Sequence, residues 1–128
     1  MFFFKRKEST VRELDYSRPF VVLNFKTYEE SQGNNAIRLA RIAEKISMKY
    51  MINIIVAVQA IDLKEVASKV KIPVYAQHLD SEIPGRSTGS IIPENIKRIN
   101  VHGSLLNHSE KKLDIKTIEK NSFKNERA

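Results

Sequence analysis

Short, wholly apolar runs alternate along this chain with amphipathic ones, and that alternation is what most limits how it can fold. Phe20-Val21-Val22-Leu23, residues 54–58, Val74-Tyr75-Ala76 and residues 101–106 are brief and rich in β-branched or aromatic side chains, as expected of strands buried on both faces. Between the first two runs, residues 34–49 carry Ile37, Leu39, Ala40, Ile42, Ala43 and Ile46 in one stripe, with Arg38, Arg41, Glu44 and Lys45 largely outside it. That spacing predicts a helix with one apolar face, entered from the loop Gln32-Gly33-Asn34-Asn35, which also offers a candidate N-cap. Asp62 followed by Glu65 has capping-box spacing and predicts a second helix through Leu63, Val66, Ala67 and Val70. Pro73 starts the third strand, and Pro93 suits the first turn of a short helix through Ile96 and Ile99. The long connection 79–92, with Pro84-Gly85 and Thr88-Gly89, reads as a structured loop. A last helix spans 114–120. Strand–helix units in this order imply an α/β fold with one parallel sheet in order 1-2-3-4, right-handed crossovers and helices on its outer face.

A chain of 128 residues holds one domain with a real core. We divide it into an N-terminal extension (1–18), the α/β body (19–120) and an irregular tail (121–128). The net charge of +7 raises a nucleic-acid reading. Most of the excess sits in the two terminal stretches, though, and proteins that bind nucleic acid more often gather Lys and Arg on one helix or groove. There is no cysteine, which removes disulfides and thiolate metal sites. His78, His102 and His108 lack zinc-ligand spacing. No apolar run approaches the roughly 20 residues needed to span a bilayer. The opening Met1-Phe2-Phe3-Phe4 before Lys5-Arg6-Lys7 is too short for a signal peptide. The expectation is a cytoplasmic protein that binds neither membrane nor nucleic acid.

Polar residues with chemical potential collect at the C-terminal ends of the strands: Asn24 and Lys26, Gln59, Gln77 and His78, Asn107 and His108. That is the end at which α/β folds place their sites. The glycines form no phosphate-cradling pattern. Taken alone, Lys26 is most simply a solvated lysine, and His108-Ser109-Glu110 a helix entry capped by Ser109 or Asn107. Ser109 has no nucleophile-elbow glycines around it.

Together these residues resemble a known family. Asn24-Phe25-Lys26 resembles the N-x-K signature of the triosephosphate isomerases, and His108-Ser109-Glu110 their H-S-E motif. Ala76-Gln77 and Thr88-Gly89 fall between them in the family's order, and the stretch 53–110 looks most like the archaeal branch. The resemblance implies part of a (β/α)8 barrel, about four parallel βα units. It implies an isomerase of glycolysis and gluconeogenesis that interconverts dihydroxyacetone phosphate and glyceraldehyde 3-phosphate, without metal or organic cofactor. The family is itself the standard worked case of a neutral histidine used as an electrophile. By the same resemblance, Asn24 orients substrate, Lys26 supplies a cation near the reacting oxygen and the phosphate, and His108 shuttles a proton between oxygens. Glu110 pairs with Lys26 and fixes it.

A whole barrel of this kind runs to about 250 residues. The family's glutamate base follows the sixth strand in an E-P-P context, and Glu82-Ile83-Pro84-Gly85, after the third strand, does not fill that place. The expectation is a truncated isomerase, inactive alone, that needs a complementing C-terminal half. The alternative is an inactive half-barrel kept as an interaction or scaffold protein. An open half-barrel should also leave its first and fourth strands as bare edges and its interior face exposed, which favours association into a homo-oligomer.

Overall fold

The computed structural model describes residues 2–3 and 15–123. Five strands form one sheet: β1 (Phe2–Phe3), β2 (Phe20–Asn24), β3 (Asn53–Val58), β4 (Val74–Ala76) and β5 (Gly103–Ser104), in spatial order β1-β5-β4-β3-β2. The helices are α1 (Asn34–Tyr50), α2 (Ala60–Lys69), α3 (Pro93–Lys97) and α4 (Ile115–Phe123), with a 3-10 turn at Glu29–Ser31. The four expected strands pair in sequence order and in parallel, as neighbours joined by short crossovers should. The result is a partial barrel of about four βα units.

The two faces of the sheet are buried differently. Val56, Val58, Val74 and Ala76 pack outward against Ala36, Ala40 and Ala43 of α1 and Leu63, Val66 and Ala67 of α2. Ile55, Ala57 and Tyr75 point the other way into a second cluster, joined by Phe20, Val22 and Leu105. Every residue of β3 is therefore buried.

β2 departs from the expectation of burial on both faces. Val21 and Leu23 are 45% and 40% exposed, because β2 is an edge strand. The buried line of α1 is likewise narrower than the predicted stripe and runs through Ala36, Ala40, Ala43 and Ser47. Small side chains let the helix approach the sheet closely. Ile42 and Ile46 stay largely exposed; by helical periodicity they lie on the flank opposite Ile37 and Glu44. On that opposite flank Glu44 accepts the Lys71 N–H, which ties α1 to the chain just after α2.

Other local expectations also change. α2 begins at Ala60, not at Asp62. Instead of capping its own helix, Asp62 accepts the Gly33 N–H at 3.0 Å, which places a carboxylate at the start of α1. The fourth strand is only Gly103–Ser104, since β4 offers just three residues to pair with, although Leu105 N–H still reaches Ala76 O at 2.9 Å. α4 is capped by Asp114, whose carboxylate accepts from the Thr117 N–H at 2.8 Å. It continues past Lys120 through Phe123, because Asn121 is fully buried and its amide reaches Leu79 O at 3.5 Å. The rest of the tail, 124–128, and residues 4–14 of the extension lie outside the described residues.

The interior face is not bare either. Ile55, Ala57 and Tyr75 are each 0% exposed, and the β5 edge carries β1 as an antiparallel neighbour. The fourth expected strand thus has partners on both sides, and among the described residues the edge strands are the two-residue β1 and the longer β2. No described helix is long and apolar enough to cross a membrane.

Gly33 adopts φ 55° and ψ −127° at the entrance to α1, a region that L side chains avoid. A Cβ there would meet nothing within 4 Å, so the cost of adding one is backbone strain alone. Gly33→Ala should lower stability by about 1–3 kcal/mol, read as a reduced urea midpoint at constant slope. An unchanged midpoint would contradict this account of the α1 start.

Candidate active site

The parallel register brings the C-terminal ends of β2, β4 and β5 to one side of the sheet, around an open hollow of about 410 Å³. Asn24, Lys26, Gln77, His78, His108 and Glu110 line it, with Tyr28 and Lys111 among the other wall residues. Residues more than 80 positions apart in sequence meet here because each follows a strand of the same sheet.

Lys26 sits in the left-handed backbone region at φ 53°, which costs a non-glycine residue of order 1 kcal/mol. Two side chains hold it there. The Asn24 side-chain oxygen accepts the Lys26 N–H at 3.0 Å, a local turn that favours this bend. From the other side, Gln77 Nε2 donates to Lys26 O at 2.9 Å, with Asn24 Oδ1 and Ala57 O each 3.3 Å away. The Lys26 side chain then reaches Glu110, with Nζ 2.8 Å from Oε2. Lys26 is 29% exposed and Glu110 64%, so solvent screens the pair and its value lies in position more than in stability.

His108 and Glu110 belong to a tight turn after β5, not to a helix entry. Lys111 N–H donates to His108 O at 2.8 Å, and Asn107, at φ 55°, accepts the Leu113 N–H on its side chain at 2.9 Å. Within the turn, the Glu110 backbone N–H donates to His108 Nδ1 at 3.2 Å. A backbone N–H is always a donor, so Nδ1 carries the lone pair and the ring proton sits on Nε2. The 3.6 Å approach of Glu110 Oε2 to Nδ1 is therefore not a charge pair. His108 keeps a donor on the ring nitrogen that the turn leaves unused.

The hollow has a second wall in the loop after β4. His78 Nε2 lies 3.0 Å from Asp80 Oδ1, while Asp80 Oδ2 accepts the Ile91 N–H at 2.8 Å and Asp80 N–H donates to Ile91 O at 2.8 Å. Burial raises the Asp80 pKa, but the Ile91 N–H and His78 outweigh it and the net shift is downward. Asp80 thereby pins both ends of the long loop. His102 stands elsewhere, at the start of β5, where its Nδ1 faces the Val74 N–H at 3.3 Å.

The structure thus brings Asn24, Lys26, His108 and Glu110 into one hollow, and leaves Gln59, Ser109 and Thr88 outside its lining. Gln77 stood among the strand-end candidates and in the family resemblance, but its tie to Lys26 was not read from the sequence. Asp80 was missed and carried no signal of its own. Among the described residues, no group of three or more His, Cys, Asp or Glu side chains is placed to hold a metal ion.

The Lys26 hydrogen bond holds the Glu110 carboxyl below its ordinary pKa, aided by the charge of Lys26. Because the folded-state pKa is depressed, the pair is intact above the ordinary glutamate value and is lost as pH falls through the lowered one. An NMR titration of the Glu110 carboxyl should place its midpoint below that of a free glutamate. Lys26→Met should return the midpoint to the ordinary range; if it stays put, Lys26 is not its cause.

The chain matches the family model described as triosephosphate isomerase over residues 19–127. It is 50% identical over 103 residues to the triosephosphate isomerase of Methanothermus fervidus, covering 80% of this chain and 46% of that protein. To that of Methanocaldococcus jannaschii it is 48% identical over 99 residues, covering 77% and 45%. To that of Methanobacterium bryantii it is 45% identical over 101 residues, covering 79% and 45%. The chain spans about half the length of the curated relatives it matches. With Asn24, Lys26 and the His108 turn gathered at the strand ends of a parallel partial barrel, the chain belongs to the triosephosphate isomerase family, as an N-terminal portion of the archaeal type.

Proposed function

We propose that this chain supplies half of an active site that interconverts dihydroxyacetone phosphate and glyceraldehyde 3-phosphate in the cytoplasm. The observation that carries the reading is the convergence of Lys26, His108 and Asn24 on one hollow, with the Lys26 backbone clamped by Asn24 and Gln77. The reaction moves a proton between two adjacent carbons through an enediolate. It needs a base for the carbon-bound proton and donors for the charge that develops on oxygen.

In this reading Lys26 places its ammonium beside the enediolate oxygen and the phosphate. His108 donates from Nε2 to the developing oxyanion and passes the proton from one oxygen to the other. Asn24 orients the substrate, and Glu110 holds Lys26 in place. Glu110 is a poor candidate for the carbon base, because pairing with Lys26 makes its carboxylate a weaker proton acceptor. Glu82 is exposed on the loop after β4 and does not line the hollow. In this reading the base and the phosphate-binding loops are supplied by a family C-terminal half. The open β2 edge supports such a partner: Val21 and Leu23 present apolar surface there. The same surface also favours a second reading, an inactive scaffold that uses it for homo-oligomers or another protein.

Alone, the chain should give little or no isomerase turnover. Mixed with a family C-terminal half, it should recover activity that falls about 10²–10³-fold in Lys26→Ala or His108→Gln. His102→Gln should change stability more than rate. Robust turnover by the unassisted chain contradicts the missing base. Recovered activity indifferent to Lys26 and His108 contradicts the site.

A further inference from the structure

In a closed (β/α)8 barrel each strand has a parallel neighbour on both sides. β5 has one on its β4 side, but on the other side it meets β1, antiparallel, with Phe2 opposite Ser104 and Phe3 opposite Gly103. The strand that covers this edge comes from the 18 residues that precede the family match, which starts at residue 19. The same stretch of chain also reaches the interior face. Tyr16 Oη lies 3.1 Å from the hydroxyl of Tyr75, which is fully buried, and the Tyr16 ring stacks edge-on against Phe20 at 6.1 Å. Asn53 anchors the segment, its amide reaching Pro19 O at 3.4 Å and Asp15 O at 3.5 Å.

We infer that β1 and Tyr16 form a built-in cap, which occupies the β5 edge where the next barrel strand would add and must be released before a second half docks. The docking clause rests on the proposed function; the cap itself does not. An unpaired edge is a template for aggregation, and covering it protects the isolated chain. The cover is also weak enough to leave. Two residue pairs form a ladder near the low-stability end of local opening. The β2 edge carries no such cover among the described residues, so the cap is specific to one edge.

A disulfide across the Phe2–Ser104 pair tests this directly. Opposed antiparallel residues lie about 4.5–5.5 Å apart at Cα, within the range a disulfide bridges, and the sequence has no other cysteine. The Phe2→Cys/Ser104→Cys chain should close an intramolecular bridge under mild oxidation. The probe is the separately produced C-terminal half of the 50% identical relative. The oxidised chain should bind it at least about tenfold more weakly than the reduced chain, since its binding-competent fraction is locked away. Failure to form the bridge, or measurable binding of equal strength in both states, overturns the inference. Hydrogen exchange in Phe3→Pro gives an arm that needs no partner. Faster exchange at Gly103 and Ser104, with β3 still protected, supports the cap, and unchanged exchange overturns it. A bridge that forms readily while neither redox state binds the probe counts against the proposed function and leaves the cap standing.

Discussion

Gln77 carries two amide N–H groups and has three oxygens within reach: the Asn24 side chain, the Lys26 carbonyl and the Ala57 carbonyl. Asn24 and Lys26 belong to β2 and the chain just after it, Ala57 to β3, and Gln77 itself follows β4. One side chain therefore ties three strand ends together at the mouth of the hollow. It works only because the parallel register sets Ala57 opposite both Asn24 and Tyr75. A slip of one residue would turn these side chains to the other face of the sheet. The left-handed backbone of Lys26 depends on this tie. A lysine in that conformation needs a surrounding structure that enforces it.

The direction in which the fixed Lys26 points decides the electrostatics. Its ammonium meets Glu110, which follows His108 in the same turn, and the Glu110 backbone N–H sets the histidine ring. The turn after β5 thus does two things with one residue: the Glu110 carboxylate orients a cation, and its N–H orients the His108 ring. That economy lets a short H-S-E segment bring two side chains to the hollow although its middle residue does not line it. Positive and neutral hydrogen-bond donors then face the same space, an arrangement that suits a developing oxyanion.

Much of the fold was legible because burial leaves a periodic trace. Residues 54–58 and Val74-Tyr75-Ala76 read as strands since both of their faces are covered, and the parallel order followed from their short spacing. Asn24, Lys26, His108 and Glu110 were found through their places at strand ends and their likeness to family motifs. What escaped were contacts made across elements. Asp62 looked like the cap of its own helix, yet it serves α1 through Gly33. Asn121 looked like the start of a polar tail, yet it is buried against Leu79. Ile42 and Ile46 fit the apolar stripe of α1 but stay largely exposed, because the buried line of the helix runs through Ala36, Ala40, Ala43 and Ser47. Phe2 and Phe3 were too short a run to read as a strand, because their pairing depends on an edge that only the folded sheet presents. Local sequence reports periodicity; it does not report which distant backbone group a polar side chain will meet.

The central claim is that the turn after β5 sets the His108 ring with its lone pair on Nδ1 and its donor on Nε2. The nitrogen-15 chemical shifts of the His108 ring, measured in the intact chain near neutral pH, test this most directly. The account predicts a pyridine-like Nδ1, which accepts the Glu110 N–H, and a pyrrole-like Nε2. A ring with these assignments reversed would contradict it, since Nδ1 could not then accept that hydrogen bond and Nε2 would have no proton to give to an oxyanion.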